Sequence, residues 1–137
     1  MSTAKGRTQK CGRAEARTRL AHARKFLEAA QLAADEDAPE SSSVAASLAV
    51  LCGIAAADAA CCAALGRRSR SQDHRDAELL AATVEPRGKD AANALRRLID
   101  LKDTAHYGLI NVSRQKLTAA LRHADTLVEF AGATIRR

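Results

Sequence analysis

Apolar residues recur along this chain at helical spacing in five blocks separated by clear breaks. From Arg13 to Glu36, Leu20, Ala23, Leu27, Ala30 and Ala34 follow one another at intervals of three and four. The second block, Val44 to Gly66, is almost wholly apolar. A short third helix is predicted over Gln72 to Thr83, where Asp73 and Asp76 suit the electropositive start. A fourth runs from Lys89 to Tyr107 and gathers Ala91, Ala94, Leu95, Leu98, Leu101 and Ala105 on one face. The last follows Ser113, a good N-cap, and its face of Leu117, Ala120, Leu121, Ala124, Leu127, Val128, Ala131 and Ile135 is the cleanest in the chain. Between them, Pro39 is read as the stop of the first helix, Gly66 ends the second, EPRG at Glu85 to Gly88 forms a turn, and Gly108 ends the fourth. The predicted fold class is all-α, an antiparallel up-and-down bundle of four to five helices, because short connections make consecutive helices antiparallel neighbours.

The second block carries one anomaly. At 100° per residue, Val44, Leu51, Ile54, Cys62 and Leu65 all fall within about 40° of Asp58, so the only charge lies in the bulky apolar face. Ala49, Gly53, Ala56, Ala60 and Ala63 form a stripe of small residues directly opposite. With neither face suited to water, this is the central helix of the bundle. A carboxylate there requires a cation or several donors, since leaving it ionised and unpaired costs several kcal/mol. Lys102 interrupts the apolar face of the fourth helix, with His106 one turn further on its flank. The two anomalies are expected to cancel in a buried polar cluster of Asp58, Lys102 and His106, with Tyr107 as a further partner. The small stripe is expected to admit a second helix pair, and an alanine-dominated core buries little area alone, so a homodimer is predicted.

Net charge is +6, and it is unevenly spread. Lys5, Arg7, Lys10, Arg13, Arg17, Arg19, Arg24 and Lys25 face only Glu15 in the first stretch, whereas Phe26 to Ala60 holds acids and no base. Residues 1–12 are read as a disordered basic arm, and 13–137 as a single helical domain. Such an arm suits nucleic acid or another acidic partner. No apolar stretch follows the first basic residues as a secretory leader requires, and a weakly hydrophobic, alanine-rich second helix with Asp58 at its centre argues against membrane insertion. A cytoplasmic location without a membrane partner is expected. Cys52, Cys61 and Cys62 share one helix, where the adjacent pair diverges by about 100° and cannot close on itself, so the four cysteines, Cys11 included, are expected as free thiols. No CxxC or HxxxH spacing is present, and neither a metal nor a cofactor is expected.

Arg67, Arg68, Arg70, His74 and Arg75 cluster where an interhelical loop meets a helix start, a place where side chains and free backbone N–H groups together hold phosphate. Base-stacking aromatics are nearly missing, which disfavours sequence-specific reading of single strands.

An alanine-rich helix ending in GRRSRSQDHRDAELL, a turn, a helix ending LKDTAHYG and then VSRQKLTAALRHADTLVEFA resembles the HEPN family of small helical proteins over most of the chain. His74 matches the histidine that opens the shorter helix in several subgroups. Lys102, Ala105 and Tyr107 match the end of the fourth-helix pattern, with His106 standing where that pattern has an acid. The resemblance implies a commonly dimeric bundle, in a family containing metal-independent RNases and toxins paired with minimal nucleotidyltransferases, alongside nucleotide-binding and structural members. The arginine that catalytic members separate by four to six intervening residues from a histidine near the end of the fourth helix is absent, since Leu101, Asp100 and Ile99 occupy those positions before His106. The reading is therefore a HEPN-like RNA- or nucleic-acid-associated, or partner-binding, module without catalysis. Two alternatives stand beside it. One is a metal-independent endoribonuclease, a toxin using His106 and Tyr107 with Lys102 or the Arg67–Arg70 loop, paired with a nucleotidyltransferase-type antitoxin. The other is a sequence-independent DNA binder acting through the basic arm.

Overall fold

The computed structural model describes residues 7–71 and 73–137. It is an all-α bundle with one small ribbon: β1 (Thr8–Lys10), α1 (Arg13–Ala34), α2 (Pro39–Leu65), β2 (Arg67–Ser69), α3 (His74–Ala82), α4 (Gly88–Tyr107) and α5 (Arg114–Arg136). The helix ends follow local chemistry. Glu15 Oε1 accepts the Gly12 N–H at 2.7 Å, satisfying a donor at the start of α1. Asp73 Oδ1 accepts the Arg75 N–H at 3.0 Å, and Ser113 Oγ accepts that of Lys116 at 3.2 Å. Gly66 closes α2 at φ 75°, a conformation that costs other residues steric strain. Pro39 does not stop α1. It is the first residue of α2, where its fixed φ and missing N–H are tolerated, and α2 therefore starts five residues earlier than the apolar pattern predicts.

α2 is the central helix and packs against α1, α4 and α5. Its small stripe is the side that goes deepest: Ala49, Ala56 and Ala60 are fully buried, and a β-carbon on Gly53 would lie 2.5 Å from Leu98 Cδ1 and 3.2 Å from Leu127 Cδ1. Leu98 and Leu127 are themselves completely buried, so they have no room to retreat. Close approach of α4 and α5 thus consumes the stripe expected to receive a second copy. Conversely, Val44 and Leu51 on the bulky face are exposed. Gly53→Val is expected to lower unfolding free energy by about 2–3 kcal/mol through overpacking, a loss measurable by urea denaturation, and an unchanged midpoint would contradict this packing. By length and composition α2 could cross a bilayer, but 67% of its most apolar window is buried inside the bundle.

The expected free thiols require correction. Cys11 and Cys62 form a disulfide across 51 residues, with Cα atoms 5.1 Å apart. Cys62 lies in the last turns of α2, and the Cys11 N–H donates to the Gly66 carbonyl at 3.1 Å, so the end of α2 and the entry to α1 are held together. Cys61, next in sequence to Cys62, points elsewhere and stays free and buried, as does Cys52. Burial pushes both thiols up to about 12, which removes their nucleophilic form at neutral pH. Part of the segment expected to be disordered is a strand. Thr8–Lys10 pairs antiparallel with Arg67–Ser69, and residues 1–6 of the expected disordered segment lie outside the described residues.

Candidate functional site

The ribbon joins two basic segments far apart in sequence. In its register Lys10 stands directly opposite Arg67 and Gln9 opposite Arg68, while the Arg70 N–H extends the ladder to the Arg7 carbonyl at 3.0 Å. Like charges facing each other across a strand pair are destabilising in isolation. Among the described residues, no carboxylate lies within ion-pair distance of Arg7, Lys10, Arg67 or Arg70, and all four are exposed.

Arg68 is the exception, and it anchors the ribbon to the bundle. Its Nη1 donates to Asp58 Oδ2 at 3.0 Å, and its Nε and Nη2 donate to Gln9 Oε1 at 3.1 and 2.9 Å. Arg19 Nη2 donates to the same Asp58 oxygen at 3.0 Å. Asp58 is 7% exposed, whereas the arginine side chains are 26% and 33% exposed, so the charged cluster is dry at its acid and wet at its outer edge. The Asp58 carboxyl is pushed up by burial and drawn back by the two guanidiniums, and burial prevails. Arg19 Nε is buried without a hydrogen-bond partner. A cleft of about 270 Å³ opens beside this network, lined by Lys10, Glu15, Arg19, Arg68 and the disulfide.

The predicted cluster of Asp58, Lys102 and His106 is therefore not formed as expected. Asp58 takes its cations from α1 and β2, because those elements cover the C-terminal half of α2. Arg19 carried a legible signal, since it stands three residues after Ala16 and four before Ala23, beside the buried stripe of α1. Gln9 and the pairing of Lys10 with Arg67 carried none.

Lys102 instead lies within electrostatic range of His74, at the start of α3. The His74 imidazole is held below its ordinary 6.5, first by burial and then by the Lys102 ammonium, with Asp58 and Asp73 opposing. His106 is likewise held down by burial and Lys102, against Asp103, and its ring meets Tyr107 edge-on at 5.7 Å between centroids. Tyr107 is exposed at the end of α4. Of the predicted phosphate cluster, Arg67, Arg68 and Arg70 belong to the ribbon, while His74 and Arg75 open α3, Arg75 exposed and His74 half-buried. Among the described residues no group of three His, Cys, Asp or Glu side chains is placed to hold a metal.

Comparison with the models of known protein families gives no match, and comparison with curated proteins gives none either.

Proposed function

We propose that this protein is a HEPN-like helical module that associates with nucleic acid by charge, and that the β1–β2 ribbon is its contact surface. The observation that carries this reading is the facing pair of Lys10 and Arg67, flanked by Arg7 and Arg70 and, among the described residues, free of carboxylate partners. A polyanion relieves the repulsion within such a ribbon, and the released counterions supply the affinity. Phosphates are held rather than bases read, because the ribbon residues Thr8 to Lys10 and Arg67 to Ser69 include no aromatic.

The test is fluorescence anisotropy on labelled duplexes of unrelated sequence over a range of salt. Log affinity should fall steeply and linearly with log salt, by an equal slope for each sequence. Replacing Lys10, Arg67 and Arg70 together with alanine should reduce the magnitude of that slope by about 0.9 for each phosphate that the variant no longer neutralises. Salt-independent binding, or a slope unchanged in the triple variant, would remove the ribbon from the function.

A further inference from the structure

The start of α4 and the C-terminal half of α5 enclose a pocket of about 490 Å³ together with Arg24 of α1. That volume lies in the range of small-molecule sites, about 300–1,000 Å³. Four arginines line it, Arg24, Arg87, Arg136 and Arg137, against two carboxylates, Asp90 and Glu129. Arg87 is engaged with Asp90 at 3.5 Å, and Arg137 Nη1 donates to Thr134 Oγ1 at 3.5 Å. Arg24 and Arg136 belong to none of the ion pairs among the described residues.

The two guanidiniums lie over Gly132. A β-carbon on Gly132 would lie 3.4 Å from Arg24 Nη2 and 3.4 Å from Arg136 Nη1, so the two nitrogens are separated by at most twice that distance. The contrast with Gly53 is informative. Gly53 is required by packed leucines, whereas a β-carbon at Gly132 would meet, beyond its own helix backbone, only the two cationic tips. A glycine inside a helix costs stability relative to alanine, and core packing does not account for this one. At the rim, Arg87 sits at φ 75°, a conformation that glycine or asparagine adopts far more readily, at the N-cap of α4. Beside the cations, Pro86, Val128 and Phe130 supply an apolar wall.

We propose that this pocket binds a small phosphate monoester. Arg24 and Arg136 bridge the phosphate oxygens over Gly132, as paired guanidiniums do well, and the ester's apolar group rests against Phe130 and Pro86. The pocket's lining shares no residue with the ribbon.

Phenyl phosphate is the probe, titrated into the full chain and followed by amide chemical shifts, with inorganic phosphate and phenol as parallel arms. Shifts should cluster at Arg87, Phe130 and Gly132, and phenyl phosphate should bind about tenfold or more tightly than either arm. Arg24→Gln combined with Arg136→Gln should weaken binding by about tenfold or more. Gly132→Ala should melt no lower than the parent, because alanine favours the helix and its β-carbon meets only the mobile guanidinium tips. Unchanged affinity in the arginine double variant overturns the site, and equal affinity for inorganic phosphate overturns the ester assignment. The Lys10, Arg67 and Arg70 alanine variant should retain phenyl phosphate binding, and Arg24→Gln with Arg136→Gln should retain duplex binding. Loss of duplex binding in the latter would instead make the pocket part of the nucleic-acid surface and overturn the proposal.

Discussion

Breaking the Cys11–Cys62 disulfide, by reductant or by Cys11→Ser, is expected to lower the unfolding free energy by about 4 kcal/mol, from the chain entropy that a closed loop of 51 residues removes from the unfolded state. Three features make the effect large. The loop spans α1 and most of α2, the central helix of the bundle. The ribbon beyond it has only three residues in each strand, too few to stay paired without a tether. The free thiols Cys52 and Cys61 are buried and pushed up to about 12, so neither attacks the bond in the folded state. Urea denaturation with and without reductant measures the loss, and amide hydrogen exchange at Thr8 to Lys10 should accelerate in parallel. Coincident denaturation curves would show that the cross-link constrains nothing. The same cross-link bears on the cellular setting expected from sequence, because disulfides persist mainly in oxidising compartments.

Removing both cations from Asp58, with Arg19→Met and Arg68→Met, is expected to destabilise the fold by about 3–5 kcal/mol at neutral pH, because a buried carboxylate is then left without a counter-charge. Either single substitution should cost less, since the remaining guanidinium still reaches the same oxygen. Adding Asp58→Leu to the double variant should recover most of the loss, as an apolar side chain needs no partner there. The pH dependence has a definite sign. Burial already holds the Asp58 carboxyl above its ordinary 3.8, and without the arginines it rises further. Such a group keeps its proton in the folded chain at pH values where the unfolded chain has released it. Stability is then retained below the unfolded pKa and lost as pH rises through the folded one. The deficit of the double variant should therefore narrow as pH falls toward about 4 and be greatest near neutrality. A deficit independent of pH would mean that the carboxylate escapes to water when its partners are removed.

The five helices and most of their ends were legible from local order. Apolar spacing placed α1, α4 and α5 because a helix face meeting a core must repeat every three to four residues, whatever it packs against. Ser113, Gly66 and Gly108 marked ends by chemistry confined to one turn. Asp58 was legible as a buried charge in want of a cation, from the composition of its own helix alone.

Which cation answered it was decided only in three dimensions. Lys102 and Arg19 each interrupt or border an apolar face, and periodicity gives both equal weight. The choice fell to Arg19 and Arg68 because α1 and the ribbon, rather than the end of α4, cover that part of α2. Gly53 and the alanines beside it likewise admitted two readings, a surface for a second copy or a groove for the chain's own helices. Leu98 and Leu127 filled the groove. The disulfide, the strand register setting Lys10 against Arg67, and the meeting of Arg24 with Arg136 over Gly132 all join residues more than fifty positions apart. Periodicity describes how one helix presents its faces, whereas contacts of that range depend on how several helices share one core.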